Sequence, residues 1–343
     1  MSKVEVPTPA PAPTVLPPTG SRRGWKLLVS LALLVLLALT QDLGGVLSLL
    51  VGAADAWLAL AVAVMFVEQS ITALTWQRLL AARGLHVGVL EVLRIYYLSI
   101  FIGTWLPSST GPDVLRAYYL ARHVDGYDAV GSMLVLRFVS LLALGLFAVA
   151  GVGLVPAPLP PAALVLAWLL VAGSAGALLV GLTEAPRRAA TAILQPLRLA
   201  GPAAVLGKLH AALHAYRRAP GELAVATVLS LIVQLLRIVT IYLAARALGI
   251  EVPFAPYLVL VPVTTMITLV PISLAGLGVR EGAFVYFFGR VGMSEAGAFS
   301  LSLLVFGLSL VLWVVGAALY WRDVPPGEKA APSPAGRESR ASG

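Results

Sequence analysis

Apolar residues fall along this chain in long runs separated by short polar stretches. A bilayer core needs about 20 apolar residues per helix, with a range of roughly 17–25. Runs of that length predict full spans near 25–43, 56–78, 129–153, 162–183, 221–248 and 295–321. The first has an apolar core from Leu27 only to Leu39, the length of a signal-peptide core. No small-x-small cleavage site follows it, so it reads as an uncleaved span.

Two further segments break the pattern. In 95–122 the run Ile95–Leu106 stops at Pro107, and the next run reaches only Leu120 before Arg122 and His123. In 254–292 the run from Phe254 to Val270 stops at Pro271, and a second begins after Glu281. Arms of about 10–16 residues around a Pro/Gly/Ser break are too short to span and predict re-entrant hairpins. Irregular backbone at that depth is tolerated only when buried in protein or lining a wet cavity.

Composition agrees with a membrane domain. AVILMFWYC residues make up 59% of the 343 residues and charged residues 12%, against about 25% charged in a soluble domain. A soluble fold of this composition would expose large apolar patches. The chain has no Cys, which excludes disulfides, thiolate zinc sites, Fe–S clusters and Cys nucleophiles. Its net charge of +8 sits in loops between apolar runs, which points to membrane topology rather than to nucleic acid. Residues 1–24 are Pro-rich and 323–343 are polar, so both read as disordered cytoplasmic tails around a single membrane domain, 25–322.

The loop charges set an orientation. Lys3, Arg22, Arg23 and Lys26 flank the first span, and Arg78, Arg83 and Arg94 lie in loop 77–94. Loop 184–222 carries Arg187, Arg188, Arg198, Lys208, Arg217 and Arg218. Loop 40–55 has only Asp42 and Asp55, and 154–161 has no charge. The positive-inside rule then places both termini in the cytoplasm of a multi-pass protein of the cell's inner membrane. The first hairpin opens from the cytoplasm and the second from outside. Trp25, Trp57, Trp76 and Trp321 are expected in the interfacial belts. Within the cytoplasmic loop 184–220, Leu206, Leu209, Leu213 and Tyr216 share a face opposite Lys208, Arg217 and Arg218. That face predicts an amphipathic helix on the anionic inner leaflet, either a topology-setting connector or a head-group recruiter.

The two breaks resemble each other. One reads Pro107-Ser-Ser-Thr-Gly-Pro-Asp-Val-Leu-Arg116, the other Pro271-Ile-Ser-Leu-Ala-Gly-Leu-Gly-Val-Arg280-Glu281. Both are P-x-S-x6-R, with Ser109 and Ser273 in register. Interrupted segments in matching places, entering from opposite sides, point to an inverted-repeat transporter; two unrelated Pro/Gly turns are the plainer alternative. Gly111, Gly276 and Gly278 let the backbone turn and expose N–H groups. A helix starting near Asp113 or Gly278 directs its positive end at the tip, where anions bind. Arg116 and Arg280 supply forked donors suited to phosphate or carboxylate. Asp113 and Glu281 either hold each arginine, carry a coupling proton, or only cap a helix.

Glu68, beside Gln69, and Arg137 and Arg237 lie inside apolar spans. An unpaired charge there costs about 2.5–3.5 kcal/mol on insertion scales, so Glu68 is expected to pair with Arg137 or Arg237, for structure or along a substrate path. His210 and His214 have i,i+4 spacing without the Glu of HExxH, so no metal is expected. No cofactor is expected either: there is no Walker A sequence, and Gly276-x-Gly278 sits between membrane arms rather than in a βαβ unit. No catalytic set stands out.

The stretch Pro271-Ile-Ser-Leu-Ala-Gly-Leu-Gly-Val-Arg-Glu-Gly resembles the signature of the lysylphosphatidylglycerol synthase transmembrane, or flippase-like, family. So do Leu106-Pro107-(x)3-Gly111-x-Asp113-(x)2-Arg116 and Trp76-Gln-Arg-Leu-Leu-(x)3-Gly84. The similarity runs from about 25 to 321. It implies movement of lipids between leaflets, and without a cytosolic aminoacyltransferase domain the chain resembles the stand-alone branch. Two departures are visible: Leu136-Arg137 stands where the family has an acid before the arginine, and the first tip reads Gly111-Pro112-Asp113.

The expectation is therefore an all-α polytopic membrane protein with six full spans and two opposed re-entrant hairpins. It would translocate an anionic phospholipid or lipid-linked phosphate, with membrane lipids as partners and no nucleic acid. Arg116, Arg280, Ser109, Gly111, Ser273, Gly276 and Gly278 would bind the head group. Asp113, Glu281, Glu68, Arg137 and Arg237 would gate or couple. The alternatives are an intramembrane enzyme or assembly factor acting on a lipid-linked intermediate, or a small-anion transporter.

Overall fold

The computed structural model describes residues 42–103, 111–155, 161–184, 200–269, 273 and 276–323. Among them every regular element is helical: α1 (Leu43–Val51), α2 (Asp55–Ala81), α3 (Val89–Gly103), α4 (Gly111–Leu120), α5 (Gly126–Val152), α6 (Pro161–Leu182), α7 (Ala200–His214), a 310 turn (Ala215–Arg218), α8 (Pro220–Ala247), α9 (Phe254–Leu269), α10 (Val279–Gly289) and α11 (Glu295–Asp323). Helices α2, α5, α6, α8 and α11 are long and apolar enough to cross a membrane. They coincide with five predicted spans; the one at 25–43 lies almost wholly outside the described residues. At about 1.5 Å per residue, the 27 residues of α2 cover about 40 Å, more than a bilayer core of about 30 Å.

The central contact is between α2 and α8, which run antiparallel. The Ala54 N–H donates to Ala247 O at the start of α2 (2.9 Å), Glu68 meets Arg237 near mid-length, and Arg78 lies 3.7 Å from Glu222 at the end of α2. Each of these helices leads through a short turn into a hairpin. Helices α3 and α4 fold back on each other, so that Glu91 at the start of α3 comes within 3.9 Å of His123, just past α4. Helices α9 and α10 do the same, bringing the rings of Tyr257 and Phe288 to 5.1 Å. Because α2 and α8 are antiparallel, their ends lie on opposite faces and the hairpins enter from opposite sides. Arms of 15 residues in α3 and 16 in α9 extend about 22–24 Å, too short to cross a bilayer core of about 30 Å.

This arrangement is an inverted repeat. Exchanging α2–α5 with α8–α11 reproduces the hairpin packing, though not the broad α5–α8 contact: α3 packs on α11 as α9 packs on α5, and both hairpins pack on the long helix that follows them. The correspondence extends to single residues. A Cβ on Gly151 of α5 would lie 2.8 Å from Leu258 of α9, and one on Gly316 of α11 would lie 2.6 Å from Tyr97 O and from Phe101 Cβ of α3. The two glycines are separated by the same step along the chain as Val89 and Phe254, where α3 and α9 begin. Small residues at these crossings let the backbones approach, which is how helices associate where lipid is as apolar as the protein.

Four sequence expectations need correction. Residues 40–55 are not simply a loop, since α1 forms there and the Asp42 carboxylate caps it by accepting from the Gly44 N–H. The first hairpin begins at Val89 rather than 95, because Glu91 and Arg94 face each other at i,i+3 and extend the helix nearly two turns ahead of its apolar run. Trp76 is not in an interfacial belt: it is fully buried, and its indole N–H donates to Ser132 Oγ (3.1 Å). Trp57 and Trp321, at 40% and 60% exposure, do face outward. The face predicted for α7 is divided. Leu206 is exposed, whereas Tyr216 is buried in protein and donates to Leu79 O (3.1 Å). Burial pushes the Tyr216 hydroxyl well above its ordinary pKa, which keeps it a donor. The connector is thus tied to α2 and α5 rather than only laid on lipid.

Substituting leucine at Gly151 or Gly316 is expected to destabilise the protein by about 1–3 kcal/mol through overpacking. Gly153, with open space around its Cβ direction, supplies the control. Thermal unfolding in detergent checks this; equal midpoints for Gly316→Leu and Gly153→Leu would show that the α3–α11 crossing is not tight.

Candidate functional site

Four arginines and three acids collect where the hairpins approach α2 and α8. On α2, Glu68 is 2% exposed, and its Oε1 accepts from Nε (3.0 Å) and Nη2 (2.6 Å) of Arg237 on α8. The expected partner of Glu68 is therefore Arg237 and not Arg137. Arg137, on α5, donates instead to Asp113 Oδ2 (2.9 Å), while Arg116 donates to Asp113 Oδ1 (2.9 Å). One carboxylate thus serves two guanidiniums. With every group ionised, the cluster of described residues carries one more positive than negative charge.

The first tip binds its arginine tightly. Asp113 lies in the first turn of α4, where a carboxylate also opposes the helix dipole. Arg116 is one turn on, and its guanidinium lies over the Tyr96 ring at 3.8 Å, a cation–π contact worth about 2 kcal/mol when desolvated. Tyr96 donates in turn to Gln69 Oε1 (2.8 Å), beside Glu68. Arg116 is only 8% exposed, and its Nε is buried without a partner. Gly111 opens α4 against the end of α3, where a Cβ on Gly103 would lie 2.5 Å from Pro112. Ser109 and Pro107 lie outside the described residues.

The second tip is built around Gly276 and Gly278, at φ +77° and +82°, where a side chain would be strained. Gly278 caps α10, and its N–H donates to Glu281 Oε2 (2.6 Å). The other oxygen of Glu281 accepts from Arg280 and from the Ser302 hydroxyl on α11 (3.3 Å). Glu281 is fully buried, so it both caps its helix and fixes its own arginine. Arg280 Nε also donates to Ser302 (3.1 Å), and the guanidinium faces the Phe306 ring at 5.1 Å. Ser273 is buried at 4% exposure with an unpartnered hydroxyl.

A cavity of about 250 Å³ opens beside this tip, walled by α2, α8, α9, α10 and α11. Glu68, Gln69, Arg237 and Arg280 line it, as do Thr264, Thr265 and Thr268 of α9. Arg237 Nη1 takes no part in the pair with Glu68, and Arg280 Nη1 takes no part in the bonds to Glu281 and Ser302. Among the described residues no hydrogen bond takes up these two guanidinium edges, which leaves them for an anion. Arg116, Asp113 and Arg137 do not line the cavity; Arg116 lies against Tyr96, which bonds Gln69 of the cavity wall. Sequence reading missed Tyr96 and the threonines. The signal for the threonines was a Thr-Thr-x-x-Thr run in an otherwise apolar arm.

Among the described residues no group of three or more His, Cys, Asp or Glu is placed to hold a metal. His210 instead bonds Thr183 O through Nε2 (2.7 Å), and His214 lies 3.5 Å from Glu184.

A family model described as the lysylphosphatidylglycerol synthase TM region matches residues 25–317. Curated proteins and solved structures give no match to the chain.

Removing one partner of a buried ion pair costs about 3–5 kcal/mol. Arg237→Ala should fall near the lower figure, because its side chain is 34% exposed. Adding Glu68→Gln should recover part of the loss by removing the stranded charge. Thermal midpoints of the two variants decide it, and a wild-type midpoint for Arg237→Ala would refute structural pairing.

Proposed function

The chain belongs to the lysylphosphatidylglycerol synthase TM region family, a multi-pass membrane family tied to lipid function; on that premise we propose that it moves an anionic phospholipid or lipid-linked phosphate head group between leaflets. The observation that carries this reading is the mid-depth cavity with two half-engaged guanidiniums, set between inverted hairpins. The head group enters the cavity while the acyl chains stay in the bilayer. Its phosphate accepts from Arg237 and Arg280, and the positive end of α10 adds to the attraction. Glu68 and Glu281 hold the two arginines while the site is empty, which avoids a bare charge at membrane depth. Inverted repeats support alternating access, because one unit rocking against the other exposes a fixed site to either face.

The loop charges support a reading in which the protein sits in the inner membrane with both termini on the cytoplasmic side. Absence of cysteine makes this easy to test with single introduced cysteines. Arg217→Cys should react with an impermeant thiol reagent only from the cytoplasmic side, and Glu251→Cys only from outside; the reverse pattern would invert the topology.

The activity test is a leaflet-exposure assay in proteoliposomes, using labelled anionic phospholipids and polyprenyl phosphates. Loss of a hydrogen bond to a charged group costs about 1.5–3 kcal/mol, so Arg280→Ala should slow movement about 10–100-fold. Arg116→Ala should slow it too, through Asp113 and Tyr96. Normal movement by a folded Arg280→Ala protein would sink the proposal. Covalent change of lipid by the purified protein would favour the enzyme reading instead.

A further inference from the structure

Three acids meet the four arginines, and they are not equally occupied. Glu281 is fully buried; its Oε2 takes the Gly278 N–H, and its Oε1 takes Arg280 and Ser302. Asp113 gives one oxygen to Arg116 and the other to Arg137. Glu68 accepts from Arg237 through Oε1 alone, and among the described residues no hydrogen bond reaches its Oε2. Of the three acids, Glu68 is also the one that lines the cavity. A proton added at Oε2 leaves both bonds from Arg237 in place.

Charge gives that proton a purpose. In the empty wall Glu68 cancels Arg237, and Glu281 cancels Arg280. A phosphodiester that accepts from both arginines adds one negative charge. The spare cation of the cluster belongs to the Arg116–Asp113–Arg137 trio, which does not line the cavity. Within the wall the arriving charge is uncompensated, at a depth where that is costly. It also sits beside a carboxylate on a shared guanidinium, and a like charge favours the protonated carboxyl. Around Glu68, α8 presents Arg237 and α10 presents Arg280, while α3 presents Tyr96, bonded to Gln69, and Tyr97, 3.2 Å from Ser70. The cavity face of α11 presents Ser309, and Arg137 of α5 is held by Asp113. None of these groups takes up a proton near neutral pH, which leaves Glu68.

We propose that Glu68 is a proton carrier: the cavity takes up one proton from water at Glu68 Oε2 for each phosphate anion it binds, and releases both together. Loading forms one O–H bond and release breaks it, returning the proton to water, so no redox or covalent lipid step is involved. The charge of the whole cluster is then the same empty and filled. A pH gradient drives the pair from the acidic to the alkaline face, which supplies the direction that an inverted repeat by itself lacks. This rests on the cavity being the head-group site named above.

The test is affinity against pH, with the full-length protein in non-ionic detergent. The probe is dihexanoyl phosphatidylglycerol, a phosphodiester with no group of its own that titrates near neutrality. Binding by wild type should weaken about tenfold per pH unit over the range where the empty site is ionised and the filled one protonated. In weakly buffered solution, the same binding should take up about one proton per ligand. Glu68→Gln, whose amide oxygen still accepts from Arg237, should bind with a flat profile and take up none. A flat wild-type profile without proton uptake would overturn the inference before any variant is made. So would an unchanged slope in Glu68→Gln. Absence of binding by wild type at every pH would instead sink the head-group site itself, and this inference with it.

Discussion

A guanidinium at membrane depth must be paired, and the rest of this molecule is arranged around that requirement. Arg237 sits near the middle of α8, and its partner Glu68 sits near the middle of α2. In an antiparallel pair, mid-length residues meet, so one ion pair fixes both the register and the direction of the central contact. The hairpins inherit their opposite directions from it, since each follows the far end of one of these helices. A parallel α2–α8 pair would bring both tips in from one face and leave no opposed pair of arginines.

The surrounding charges show how such pairing is made to serve a site. Glu281 is saturated by the Gly278 N–H, Arg280 and Ser302, all within one helix start and its neighbour. It holds a positive helix end and an arginine fork in one place, which would otherwise repel each other. Asp113 does the opposite and spreads one negative charge over Arg116 and Arg137. That sharing leaves the described cluster one cation in excess. An anion is what such a cluster lacks, and buried pairs with all hydrogen bonds satisfied would not invite one.

Much of the fold was legible in the sequence because length and hydropathy act locally. Five spans and both hairpins follow from runs of apolar residues and the Pro/Gly breaks between them. What failed were judgements about partners. Trp76 near the end of a span looks like a belt residue, and nothing local reveals that Ser132 lies across from its indole N–H. Tyr216 looked lipid-facing for the same reason, since its acceptor is Leu79 O, far back in the chain. Helix α1 was missed because Leu-Gly-Gly-Val-Leu-Ser is too short for a span, and its cap depends on Asp42, which had been read only as a loop charge. In the site, Arg116, Asp113, Arg280 and Glu281 stood out as charges beside matching breaks. Tyr96 did not, because an aromatic residue in an apolar arm carries no sign of the guanidinium it will cover.

The two arginines of the repeated motif occupy equivalent places in an inverted repeat, yet their surroundings differ. Arg280 lines the cavity, while Arg116 is buried beneath Tyr96 with an unpartnered Nε. Chemically matched positions in unlike settings are what a single state of an alternating machine contains. On the proposed mechanism, rocking one unit against the other exchanges the settings, so that the covered tip opens as the open tip is covered. The orphaned Nε of Arg116 fits that view, since a group left unsatisfied in one state has a bond to gain in the other. Tyr96 then acts as the cover that one hairpin has and its counterpart lacks: the equivalent arm, α9, turns Thr264, Thr265 and Thr268 to the cavity in place of an aromatic lid.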